Sequence, residues 1–143
     1  MKKRSLLLSV GIFSDKRPET FQDLKNGQGS FLYNHNIKEV LVIEDEDGSF
    51  TITNKAKQST GKKFQYDSLR CEYPRTGDNV FATLLSETYP PQKESQLLNE
   101  YKSAEIGLLD ESYKQPYEDF LQHRIELRAM VEADCLTHKI PLP

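Results

Sequence analysis

The sequence predicts an α+β fold: a small, mostly antiparallel β-sheet from the N-terminal half, then a three-helix C-terminal half with an antiparallel helix hairpin. Three observations predict it. Apolar residues recur with a period near two up to Tyr73 and near 3.6 beyond it. Asp47-Gly48 lies between two β-branched runs, the strongest hairpin signal in the chain. Lys and Arg outnumber Asp and Glu by 12 to 9 over residues 1–70 and are outnumbered 7 to 13 over residues 71–143. That asymmetry points to two lobes with different surfaces, 1–73 rich in strands and 74–143 helical, expected to form one compact unit.

The strands follow in order. Arg4 to Phe13 is a short run of Leu, Val and Ile suited to a strand covered on both faces. Ser14 to Gly29 turns polar and leaves room for one helical turn around Phe21 and Leu24. Ser30 to Tyr33 reads as a short strand ending at the turn-forming Asn34-His35-Asn36. Ile37 to Ile43 and Gly48 to Thr53 form the two arms of the hairpin. Lys55 to Lys63 is the most basic stretch and is expected as a loop before a last strand, Phe64 to Tyr73.

Beyond Tyr73, Asp78 is the expected cap of a first helix carrying Val80, Phe81, Leu84 and Leu85 on one face. Tyr89-Pro90-Pro91 stops it, because proline lacks an amide proton and restricts the residue before it. A second helix runs from Gln92 to Ile106, with Leu97, Tyr101, Ala104 and Leu108 as its stripe and Gly107 at its end. Residues 110–115 form a link. The third and longest helix runs from Pro116 to His138. Its apolar band is Tyr117, Phe120, Leu121, Ile125, Leu127, Met130, Val131 and Cys135.

Composition removes several functions. No run approaches the ~20 apolar residues of a spanning helix, so an integral membrane protein and a membrane partner are excluded. A net charge of −3 and the absence of a strongly basic half argue against nucleic acid as the partner. Cys71 and Cys135, alone in the chain, make no disulfide framework and read as core thiols. Lys2-Lys3-Arg4 before Leu6-Leu7-Leu8 has the look of a signal peptide. Ser9, Gly11 and Ser14 interrupt the run and no cleavage pattern follows, so a first strand in a cytoplasmic protein is expected instead.

Catalytic patterns are equally sparse. There is no G-x-S-x-G elbow, Walker loop or dinucleotide fingerprint. Asp119 and His123, four apart on the third helix, can meet as an orienting pair, but no nucleophile accompanies them. Cys135 and His138 have ligand spacing without further ligands, and no metal or other cofactor is expected. The acidic loop Glu44 to Gly48 fails as an EF-hand, since Ile43 and Asn54 fall at the first and twelfth positions. No catalytic residue is assigned, no small-molecule substrate is expected, and the chain reads as a non-enzyme.

What remains is display of surface. Tyr89, Tyr101, Tyr113 and Tyr117 concentrate around the helix connections, and with Arg75 and Arg124 they are the candidate protein interface, set against a role in packing. Lys55, Lys57, Lys62 and Lys63 are the candidate phosphate contacts of the rival nucleic-acid reading. A metal-dependent or hydrolytic enzyme using His123, or Cys135 with His138, is the second rival. Tyr73-Pro74-Arg75-Thr76, Tyr89-Pro90, Leu98-Asn99-Glu100-Tyr101, Tyr113-Lys114-Gln115-Pro116-Tyr117 and Phe120-Leu121 form a series over the second half of the chain. It is similar to small uncharacterised proteins encoded in bacteriophage and prophage-like regions, some of them accessory or structural parts of the particle. The resemblance implies an association-based role, inside the cell or in a virion, and assigns no catalytic residue. The expected partners are proteins, a second copy of the chain among them.

Overall fold

The computed structural model describes residues 7–143; the basic start and Arg4 to Leu6 of the expected first strand lie outside the described residues. The chain divides into two compact units between Tyr73 and Pro74.

The first unit is a five-stranded antiparallel sheet. Its strands are β1 (Leu8–Ser14), β2 (Phe21–Asp23), β3 (Phe31–Glu44), β4 (Phe50–Thr53) and β5 (Gly61–Cys71). They lie in the order β1-β5-β3-β2, with β4 pairing the far end of β3. Register explains the core. Phe31 pairs with Cys71 and Tyr33 with Leu69, so the inward positions of two neighbouring strands share one layer, and all four are fully buried. Phe21 pairs with Tyr33 from the other side and stacks on its ring at 5.2 Å. That contact makes residues 21–23 a strand where a helical turn was expected.

The expected break at Asn34-His35-Asn36 is absent, because β3 runs through it for 14 residues. Asn34 is buried yet satisfied: its amide donates to the Glu19 carbonyl at 2.7 Å and its oxygen accepts from the Ser68 hydroxyl at 2.6 Å. Asn36 takes a left-handed conformation, φ 52°, inside a β-bulge between His35 and Lys38. A second bulge interrupts β1 between Ser9 and Ile12, with Gly11 at φ 69°. Both bulges flank the same stretch of β5. The Asp67 carboxylate accepts from the Gly11 amide at 3.0 Å and from the Asn36 side-chain amide at 2.8 Å, clamping one bulge on each side.

The Asp47-Gly48 hairpin forms as expected. The Asp45 amide donates to the Ser49 carbonyl at 2.8 Å, the Gly48 amide donates to the Asp45 carbonyl at 2.9 Å, and the Ser49 and Thr51 hydroxyls donate to the Asp45 carboxylate. The Ser49 hydroxyl and amide hold the Asp47 carboxyl below its ordinary range. The basic loop is shorter than expected: a single 3-10 turn spans Ala56–Gln58, and Lys62 and Lys63 already belong to β5.

The second unit holds α1 (Gly77–Thr88), α2 (Pro91–Glu105) and α3 (Gln115–His138), with a 3-10 turn at Glu111–Lys114 in the link. The cap of α1 is Thr76, whose hydroxyl accepts from the Asn79 amide; the expected cap, Asp78, meets Arg128 instead. The amides of Gly77 and Asp78 donate to the carbonyls of Pro141 and Leu142, each at 2.8 Å. The C-terminal tail thereby satisfies donors that a helix start leaves bare. A Cβ on Gly77 would come within 2.7 Å of the Leu142 side chain and 3.2 Å of the Cys135 sulfur, so any larger residue here would have to push Leu142 aside.

α1 lies antiparallel on α3. Asp78 and Gly77 at its start meet Arg128 and Cys135, whereas Tyr89 beyond its end meets Phe120 and His123. α2 and α3 form the helix hairpin, closed by Tyr101 against Tyr117 at 5.2 Å. Phe120, Val131 and Cys135 are the buried residues of α3, facing a core that includes Val80, Phe81, Leu84, Leu97 and Ala104.

Both cysteines are buried and unpaired to each other. Burial, with Glu72 beside it, pushes the Cys71 thiol from its ordinary 9.0 up to about 12. Burial likewise raises Cys135, with Asp134 and Glu132 adding to it. The folded chain is expected to react slowly with thiol reagents at pH 8 and the denatured chain to react at both cysteines. Because the unfolded chain loses the Cys71 proton first, the stability tied to it is whole below pH 9.0 and is lost as pH rises toward about 12. Alkaline denaturation of a Cys71→Ala variant, with its shallower decline across that window, checks the sign.

Candidate protein-interaction surface

Three of the four candidate tyrosines come together, but inward. Tyr101, Tyr117 and Phe120 follow one another at 5.2 and 6.0 Å, and Tyr89 meets Phe120 edge-on at 4.8 Å. The Tyr89 hydroxyl and His123 Nδ1 share a hydrogen bond of 2.6 Å. Burial, helped by the charge of Asp119, raises the Tyr89 hydroxyl above its ordinary range. This ladder fastens the end of α1 and the later part of α2 to the first turns of α3. Its tyrosines brace the helices; the fourth candidate, Tyr113 on the 3-10 turn, is exposed.

Both candidate arginines are half-buried. The Arg124 guanidinium lies over the Phe81 ring at 5.2 Å, and Arg128 over the same ring at 5.1 Å. Arg75 is half-buried on the segment entering α1.

The rival sites are built differently from what the sequence suggested. Asp119 accepts from Gln115 at 2.7 Å, while His123 bonds Tyr89, so the hydrogen bonds of these two residues run to different partners. Cys135 is buried beside Gly77, whereas His138 is exposed at the end of α3. Among the described residues no group of three or more His, Cys, Asp or Glu is placed to hold a metal ion. Lys62 lies 3.8 Å from Glu39, and Lys63 pairs with Asp15 while its ammonium sits over the Phe50 ring at 4.7 Å. Lys55 and Lys57 are exposed around the 3-10 turn. No helix among the described residues is long and apolar enough to cross a membrane.

The surface that sequence reasoning missed is on α3. Leu121 and Ile125 were expected in the buried band, yet they are exposed, Ile125 at 61%. Leu136 is exposed at 84%. At about 100° per residue, Leu121, Ile125, Ala129 and Leu136 share one stripe, turned by roughly a third of a circle from Phe120, Val131 and Cys135. The signal was present in the width of the apolar band, too broad for one neighbouring helix. Ile106 and Leu108, in the link after α2, are also open to solvent at 71% and 74%.

A shallow depression of about 590 Å³ lies over the paired bulges of the first unit, lined by Val10, Gly11, Asn36, Lys38, Tyr66 and Asp67 among others. Both Asp67 oxygens are engaged by the bulges, which gives this place a structural role. Compared with known protein families, curated proteins and solved structures, the chain has no significant match.

Proposed function

We propose that the chain is a non-enzymatic interaction protein whose helical unit binds other protein surfaces. The observation that carries this reading is the α3 stripe of Leu121, Ile125 and Leu136, left in water on a helix whose packed face is made by Phe120, Val131 and Cys135. Burying one such side chain is worth about 1.5–3 kcal/mol, so a partner that covers the stripe gains several kcal/mol without new chemistry. The aromatic ladder behind it keeps α3 rigid, which lowers the entropy lost on docking. The likeness of the second half to phage-encoded proteins supports an accessory or particle-component setting.

The test is solution mass by light scattering across concentration, together with binding of a hydrophobic dye by the folded chain. An oligomer, or a folded monomer that binds dye and loses it on Ile125→Lys, is the expected result. A strict monomer that binds no dye would sink the reading.

A further inference from the structure

We infer that residues 139–143 act as a strap that swings about Lys139 as one piece, opening and closing on the start of α1 while the helices stay folded. Lys139 is the pivot. It caps α3 in the left-handed conformation, φ 59°, where a residue with a Cβ is strained and glycine is the usual occupant. Beyond it the chain is stiff. Pro141 and Pro143 have a fixed φ, and each biases the residue before it, Ile140 or Leu142, toward extended backbone. Neither proline has an amide hydrogen, so the segment is rich in acceptors and poor in donors. The start of a helix is the reverse, with amides in need of partners. The two match in place: the Gly77 and Asp78 amides donate to the Pro141 and Leu142 carbonyls at 2.8 Å each, and the Leu142 side chain rests on the bare α-carbon of Gly77.

The closed strap buries little. Lys139, Pro141, Leu142 and Pro143 are exposed, and Ile140 is half-buried. A segment with so little buried apolar surface, strained at its pivot, opens at a lower free energy than the helices it lies on. What it covers is specific. The Cys135 sulfur lies against the same α-carbon of Gly77 as Leu142, and the Cys135 carbonyl accepts from the Ile140 amide at 2.8 Å. Cys135 is fully buried, one turn before the pivot. Opening therefore uncovers three groups together: the amides of Gly77 and Asp78 and the thiol of Cys135.

The experiment follows alkylation of Cys135 by iodoacetamide in the full chain, read from the mass of the peptide that carries it, beside amide hydrogen exchange. Both are run across low urea concentrations. Cys135 labelling and exchange at Gly77 and Asp78 are expected to report one opening that is nearly independent of urea. Amides of residues 124–131, inside α3, are expected to exchange more slowly, through an unfolding that depends steeply on urea. The Asn79 amide, held by the Thr76 hydroxyl rather than by the strap, should also stay slower than those of Gly77 and Asp78. Lys139→Gly relieves the pivot and should slow Cys135 labelling about fivefold. Leu142→Gly removes the side chain that rests on Gly77 and should speed labelling about tenfold with helical circular dichroism unchanged. Labelling and exchange that share the urea dependence of the α3 interior would overturn the inference, because the strap would then open only with the whole unit. A Lys139→Gly chain that labels as fast as its parent would overturn it as well.

Discussion

Phe120→Ala is expected to lower the stability of the helical unit by about 3–5 kcal/mol, the range for emptying a buried aromatic site. Phe120 is 2% exposed and stands between Tyr89 at 4.8 Å and Tyr117 at 6.0 Å. Its loss opens a cavity and also releases Tyr89, the residue that carries the hydrogen bond to His123. Phe120→Leu keeps most of the volume and should cost less than half as much. Urea denaturation followed by helical circular dichroism measures both. A cost below about 1 kcal/mol for the alanine variant would mean that the ladder does not hold the helices together.

Tyr33→Ala is the matching expectation for the sheet, again about 3–5 kcal/mol. Tyr33 is fully buried, with Phe21 stacked at 5.2 Å on one side and His35 at 4.7 Å on the other. The three residues of β2 depend on this stack, since so short a strand has few ladder bonds of its own. Tyr33→Phe keeps the rings and should cost about 1 kcal/mol for the hydroxyl alone. Amide hydrogen exchange separates the two effects. In Tyr33→Ala the amides of residues 21–23 should lose protection before those of β5; equal loss in both strands would contradict the pinning of β2 by this ring.

The parts of the fold written in local chemistry were legible. Asp47-Gly48 announces its hairpin because the turn is closed by residues within it, and the three helices show because apolar period and proline stops are local properties. The errors have distant causes. Asn34-His35-Asn36 reads as a turn by composition, and only Asp67, 31 residues beyond Asn36, and Ser68 make those residues strand interior. Thr76 and Asp78 are equally good caps in isolation; Arg128, 50 residues later, draws Asp78 away. At the site, the sequence located the tyrosines and their neighbourhood but not their direction. Which edge of the broad α3 band is packed depends on where α1 lies, and nothing within residues 115–138 records that.

The carbonyls of Pro141 and Leu142 finish the first turn of α1, and this ties the earliest part of the helical unit to its last residues. During synthesis the opening helix must wait, with two naked donors, until translation has passed residue 142. Chains halted before that point would carry a frayed start to α1 and would be easier prey for proteases than chains that include residues 141 and 142.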